Sequence, residues 1–69
     1  MNRFARLRFE RGLTQQEVAD GAHISRATVI RLEQQRHPKP TAVVLSALAR
    51  FYRVPISDLL PSENGKAAA

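Results

Sequence analysis

Cysteine and tryptophan are absent from the sequence, acidic residues number only six, and no long apolar run occurs. The absence of cysteine excludes a disulfide framework, a cysteine-ligated zinc site and a thiol nucleophile. The two histidines, His23 and His37, have no carboxylate cluster near them in the sequence, so we expect no metal site. No segment approaches the ~20 apolar residues of a membrane span, and the basic N-terminus lacks the apolar core of a signal peptide.

The chain is short, and its 69 residues suffice for one domain with one small core. A two-lobed enzyme with a cleft between its lobes is therefore excluded. Hydrophobic residues make up 43% of the chain, which is enough for a folded core. We predict a domain over residues 1–61 and a disordered polar tail over residues 62–69, whose final alanines resemble a cloning remnant. We expect a cytoplasmic protein without a cofactor.

Basic residues clearly outnumber acidic residues in the sequence. Eleven lysines and arginines oppose six acidic residues, which gives a net charge of +5, and nine of the eleven cations are arginine. The guanidinium fork matches phosphate oxygens and the guanine edge better than the ammonium group of lysine does. The composition indicates a possible polyanionic partner, although basic residues can equally form a solvated surface.

Glycine and proline divide the chain into short segments that we predict to be helical. No segment alternates apolar and polar residues for long, so strands are not expected. Thr14 and Glu17 form a capping box, and Ser25 and Thr41 are suitable N-caps for the helices that follow them. We predict five helices, over residues 2–11, 14–21, 25–34 and 41–52, with a short fifth over residues 55–60.

Two residues do not fit a simple core-and-surface pattern. Arg8 lies beside the apolar stripe of Phe4 and Leu7, where a charge needs a partner. It either extends its guanidinium to water or forms a partly buried ion pair. Ile30 is predicted on the outer face of the third helix, where an isoleucine favours a partner or ligand surface, although a single exposed isoleucine is common.

The second and third segments indicate a helix-turn-helix: two short helices at a tight turn, the second with an arginine-bearing outer face. The run G-L-T-Q-Q-E-V-A from Gly12, followed by I-S-R-A-T-V from Ile24 and by L-E at Leu32, resembles the Cro/CI-type (lambda-repressor-like, XRE) helix-turn-helix family. The resemblance covers about residues 3–60. It implies a compact, all-α, five-helix fold in which residues 15–21 form the positioning helix. Residues 25–34 would then form the recognition helix in the major groove.

The resemblance also implies site residues. Arg8 and Glu33 match the family's structural ion pair between the first helix and the recognition helix. The other matches concern DNA. Arg26, Ala27 and Arg31 match base-contacting positions, and Gln15 matches a glutamine that touches phosphate. Ser25 matches a cap position near the DNA backbone or the first base, and Arg36 and Lys39 fall in a loop that follows the phosphates. Together with what the side chains can bond, this predicts base contacts by Arg26, Ala27, Ile30, Arg31 and Gln34, and phosphate contacts by Gln15, Ser25, Arg36, Lys39 and Arg11.

Four positions depart from the family pattern. His23 and Arg53 stand where glycine is usual, Gln35 replaces a frequent loop glycine, and Pro55 replaces a capping serine. Histidine adopts a left-handed conformation at some cost, which affects the geometry of the turn before the recognition helix. None of the four departures lies on the predicted recognition surface.

These features predict a sequence-specific, repressor-like regulator of transcription that binds double-stranded DNA and is nucleoid-associated when bound. One small domain offers few base contacts, so we expect a homodimer on a two-fold operator, weak enough that it could assemble only on DNA. No small-molecule ligand is indicated. The predicted dimer interface, at the end formed by the fourth and fifth helices, consists of Val44, Phe51, Ile56 and Leu59.

The sequence also leaves other functions open. A protein-interaction module, such as an antitoxin or a bridging factor, could use the apolar surface of Ile30, Val43 and Phe51. An antitoxin usually adds a toxin-binding tail, and only eight residues follow Pro61. A phage repressor or a restriction–modification controller would share the DNA chemistry. We do not expect an enzyme, because no nucleophile–base pair, metal cluster or glycine-rich phosphate loop is evident.

Overall fold

The computed structural model describes residues 1–60, which fold into four α-helices followed by one turn of 3₁₀-helix. The predicted tail lies outside the described residues. The all-α prediction is confirmed within residues 1–60, and no helix there is long and apolar enough to cross a membrane. The elements are α1 (Arg3–Glu10), α2 (Gln15–Ala22), α3 (Arg26–Gln34), α4 (Ala42–Tyr52) and η1 (Ile56–Leu59).

The prediction of five α-helices is corrected by η1. This segment spans four residues and closes as a 3₁₀-helix, with Asp58 N–H donating to the Pro55 carbonyl at 3.0 Å. Pro55 provides no side-chain cap, and Pro61 follows directly after Leu60 in the sequence. A segment bounded by two prolines is too short to propagate an α-helix.

Side-chain caps begin all four α-helices. The predicted capping box is confirmed, since Thr14 N–H donates to Glu17 at 2.8 Å and Glu17 N–H donates to the Thr14 hydroxyl at 3.0 Å. Ser25 and Thr41 cap α3 and α4 as predicted. These caps matter because helices of 8 to 11 residues are marginal without tertiary support.

Two departures from the family pattern are accommodated in the left-handed region. His23 has φ 61° and ψ 42°, and Arg53 has φ 59° and ψ 48°, so each ends a helix where glycine is usual. His23 turns the chain from α2 toward α3, and the next residue, Ile24, donates its N–H to the Ala19 carbonyl at 3.0 Å. Gln35 lies in extended backbone, so that position needs no glycine.

The core is shared by all five elements, with α2 packed against both α3 and α4 and with α1 packed against α3. Val18 of α2 is the most buried core residue, only 1% exposed. This arrangement holds α3 by its inner face and leaves its outer face free. The buried cluster consists of Phe4, Val18, Ala19, Ala22, Val29, Leu32, Leu48, Ala49, Tyr52 and Leu59.

One residue of the predicted dimer interface, Leu59, is buried in the core, and the prediction is wrong for it. Leu59 is 2% exposed, so it offers no surface to a partner, because η1 folds it back onto α4. Phe51 is half-buried with its ring over Gly21 of α2, where a Cβ atom would come within 2.1 Å of the ring. Val44 packs partly against the core, and Ile56 stays 43% exposed. Of the predicted interface residues, only Ile56 is classed as exposed.

Candidate nucleic-acid interface

The helix-turn-helix presents one polar face of α3 to solvent. Val29 and Leu32 anchor the helix in the core, 3% and 5% exposed. The opposite side carries the predicted base-contacting residues, all exposed except Ile30, which is partly buried. The structure therefore brings these residues together on one helix face. We call this set the recognition face: Arg26, Ala27, Ile30, Arg31 and Gln34.

Ser25 lies at the start of the recognition face and is engaged locally. Its hydroxyl accepts the Thr28 N–H at 3.0 Å and lies 2.7 Å from the Thr28 hydroxyl. The side chain fixes the first turn of α3 from an exposed position. Ser25 therefore fixes the first turn of α3, which carries Arg26 and Ala27.

A buried ion pair joins α1 to α3, as the family resemblance implied. Arg8 Nε and Nη2 donate to the two carboxylate oxygens of Glu33 at 2.7 and 2.8 Å, and the two side chains are 10% and 8% exposed. Arg8 Nη1 donates to the Leu13 carbonyl at 2.9 Å. These bonds to Glu33 raise the pKa of Arg8 above its ordinary value, against the opposing effect of burial. The alternative of an arginine extended to water is excluded.

Gln15 joins the same network from the start of α2. Its amide Nε2 donates to Glu33 at 3.2 Å, so one carboxylate holds side chains from both α1 and α2. An amide nitrogen with one hydrogen engaged still has a second to offer, in this case to a phosphate. Its position at the first residue of α2 also suits an anion, because the helix dipole is positive there.

The cations of this region outnumber its acids. Between residues 26 and 40 the only acid is Glu33, and Arg8 neutralises it. Arg36 and Lys39 are exposed in the loop between α3 and α4, and Pro38 is buried between them and anchors the loop. Exposed positive charges therefore continue along the chain from α3 into this loop. They are Arg26, Arg31, Arg36 and Lys39.

Arg11 does not belong to this surface group. Its Nη1 donates to the Tyr52 carbonyl at 3.1 Å, and its guanidinium lies 5.5 Å from the centre of the Tyr52 ring. Arg11 therefore binds the carboxyl end of α4, where the helix dipole favours a cation. This bond links the residue that follows α1 to the end of α4, and the predicted phosphate contact of Arg11 stays a prediction.

Asn2 is the residue of this region that the sequence reasoning missed. Its side-chain oxygen caps α1 by accepting the N–H groups of Phe4 and Ala5, both at 3.1 Å. Its amide nitrogen donates to the carbonyls of Leu32 at 2.6 Å and Gln35 at 2.9 Å. An asparagine before a helix is a readable N-cap signal, but its bonds to α3 depend on the packing of α1 against α3.

Comparison with known proteins agrees with this geometry. A family model described as a helix-turn-helix domain matches residues 2–60. The comparison with curated proteins and the comparison with solved structures found no match. The matched range contains α2, α3 and both helices that pack on them. Since the match spans the described fold from its first cap to its last turn, the chain belongs to the helix-turn-helix domain family, which is consistent with its resemblance to the Cro/CI type.

Proposed function

We propose that this protein is a sequence-specific regulator of transcription that binds double-stranded DNA with α3 in the major groove. The recognition face carries the proposal, because it sets two arginines, an amide and two apolar side chains on one exposed surface. Arg26 and Arg31 can each bond guanine O6 and N7 together. Ala27 and Ile30 can pack on a thymine methyl group, and Gln34 can bond adenine or a phosphate.

Phosphate contacts fix the position of the domain on the duplex. Arg36 and Lys39 supply the charge from the loop after α3, while Gln15 and Ser25 supply hydrogen-bond donors at the starts of α2 and α3. Because Glu33 holds Gln15 and Arg8 holds Glu33, the donor at α2 is fixed relative to α3. Donors fixed in this way lose little conformational entropy on binding.

The protein acts as a homodimer on a two-fold operator in the cytoplasm, and its role is repressor-like. The exposed Ile56 and the partly buried Val44 form the contact at the α4–η1 end. Two recognition helices related by a two-fold axis then read half-sites about 34 Å apart. The apolar contact is small, which favours a dimer that assembles on the operator.

Selection of bound duplexes from a random DNA library tests the proposal. We expect one enriched motif with two inverted half-sites, since each protomer reads the same bases. A variant with Arg26→Ala and Arg31→Ala provides the matched control, because it leaves the loop cations in place and should lose the enrichment. A library that shows no enrichment with the unmodified protein contradicts sequence-specific binding. A single unrepeated half-site contradicts the dimer alone.

A further inference from the structure

The carboxyl end of α3 differs from those of the other helices. The chain leaves α1 through Gly12, α2 through His23 and α4 through Arg53, each with a positive φ and an N–H that bonds a preceding carbonyl of its helix or cap. The chain leaves α3 through Gln35, which is extended and has φ −81°. The recognition helix thus lacks the left-handed closure that satisfies the last carbonyls of the other three.

Asn2 supplies the missing donors at this end. Its amide nitrogen reaches both the Leu32 carbonyl, in the last turn of α3, and the Gln35 carbonyl, just after it. Its oxygen is held at the same time by the first N–H groups of α1. One side chain therefore ties the amino end of α1 to the carboxyl end of α3, and we call these four hydrogen bonds the Asn2 clamp.

The clamp acts on the part of the chain that continues into the loop. Gln34 precedes the clamped Gln35 and is the last residue of the recognition face, and Arg36 follows it and is the first cation of the loop. Arg26 lies at the opposite end of α3, where Ser25 fixes the backbone independently. Loss of the clamp should therefore displace Gln34 and Arg36 and leave Arg26 in place.

We propose that Asn2 is a positioning residue for DNA recognition. It holds Gln34 and Arg36 in the positions from which they contact the duplex. The inference rests on the proposed function, and it gives a residue that does not itself touch DNA a part in the affinity. The hydrogen bonds concerned join one side chain to the backbone, so the substitution that removes them can be small.

Asn2→Asp separates the two halves of the clamp. Aspartate keeps the oxygen that caps α1 and is as good a cap as asparagine, but it has no N–H to give the carbonyls of α3. Asn2→Ser removes the same donors without adding a charge, and it serves if the aspartate variant does not fold. In the free protein, both variants should shift the backbone amide NMR signals of residues 32–36, while those of residues 25–28 stay in place.

DNA binding is then measured in a double-mutant cycle with the selected duplex at a temperature where every variant is folded. We expect Asn2→Asp to weaken binding about three- to tenfold, the range for one or two misplaced hydrogen bonds. In its background Arg36→Ala should cost clearly less than in the unmodified protein, because Arg36 has already lost its place. Arg26→Ala, the matched control, should cost the same in both backgrounds.

Each other outcome has a definite meaning. Unchanged DNA affinity in folded Asn2→Asp and Asn2→Ser overturns the inference. It is also overturned if the Asn2→Asp background lowers the costs of Arg26→Ala and Arg36→Ala equally, because that would show a general effect of stability. An unmodified protein that binds no duplex overturns the proposed function and this inference together. If the unmodified protein binds DNA and both Asn2 variants bind it equally well, only this inference fails.

Discussion

Burial controls the ionisation of Tyr52, the aromatic residue at the end of α4. Removal from water raises the pKa of its phenol from 10.0 to about 12, and the nearby Glu33 acts in the same direction while Arg8 and Arg11 oppose it. In the unfolded chain the Tyr52 phenol ionises near pH 10, so the fold favours its neutral form. This contribution is complete below pH 10 and is lost as the pH rises through the folded value of about 12.

We therefore expect the free energy of unfolding to fall between pH 10 and pH 12, as measured by urea denaturation at a series of pH values. Tyr52→Phe, which keeps the ring and removes the ionisable hydroxyl, should flatten this part of the profile. If the variant loses stability over the same range to the same extent as the unmodified protein, then another group is responsible.

The ion pair of Arg8 and Glu33 predicts a second effect at the residue scale. Glu33→Gln keeps the shape of the side chain but leaves the buried guanidinium without its counter-charge, so the free energy of unfolding should fall by about 3 kcal/mol. Thermal or urea unfolding measures this change. Glu10→Gln, at an exposed carboxylate of α1, is the control and should change stability by less than about 0.5 kcal/mol. Equal effects of the two substitutions would contradict the structural role of the pair.

At the scale of elements, α2 and α4 are in close contact where the Phe51 ring covers Gly21. A Cβ atom there would lie 2.1 Å from Cε1 of Phe51, so the ring occupies space that only glycine leaves open. Alanine is the better helix former by about 1 kcal/mol, yet we expect Gly21→Ala to destabilise the fold by about 1–3 kcal/mol because the ring must move. Chemical denaturation measures the difference.

Phe51→Leu provides the control for this contact, because a smaller side chain makes room for the added methyl group. Gly21→Ala should then lower the free energy of unfolding less in the Phe51→Leu background than in the unmodified protein. If the added methyl group fits without strain, the substitution should raise stability, because alanine is the better helix former. A cost that is the same in both backgrounds would show that the strain does not come from the ring.

Elements set by local sequence were predictable. Thr14, Ser25 and Thr41 each cap a helix through atoms three residues away, so their function is legible in the sequence alone. The ion pair of Arg8 and Glu33 followed from the family resemblance, since nothing local joins residues 25 positions apart.

Elements set by the meeting of helices were not predictable. The bond from Arg11 to the Tyr52 carbonyl depends on how the end of α1 meets the end of α4, and no local pattern indicates it. Leu59 is predicted at an outer edge from the helical pattern of one segment, whereas the turn of η1 buries it. The contact of the half-buried Phe51 ring with Gly21 likewise depends on how α2 and α4 meet. The bonds from Asn2 to α3 depend on the same kind of contact.

At the scale of the whole molecule, the cations of the loop after α3 should make DNA binding depend on salt concentration. In the proposed complex, Arg36 and Lys39 would neutralise about two phosphates in each protomer, hence about four in a dimer. The logarithm of the association constant should fall with the logarithm of the salt concentration with a slope of about −4. Fluorescence anisotropy at several salt concentrations gives the slope. A variant with Arg36→Ala and Lys39→Ala should have a much shallower one, and a slope near −1 for the unmodified protein would contradict binding along a duplex.

The central claim, that the recognition face reads bases while the loop holds phosphates, is tested most directly by a ratio of affinities. The ratio compares the selected duplex with a scrambled duplex of equal composition, measured for the unmodified protein, Arg31→Ala and Arg36→Ala. Loss of a bidentate base contact is worth about 1–3 kcal/mol, so Arg31→Ala should lower the ratio by about 5- to 150-fold for each half-site that the protein reads. Arg36→Ala should weaken both duplexes alike and preserve the ratio. An unchanged ratio in Arg31→Ala would contradict the account.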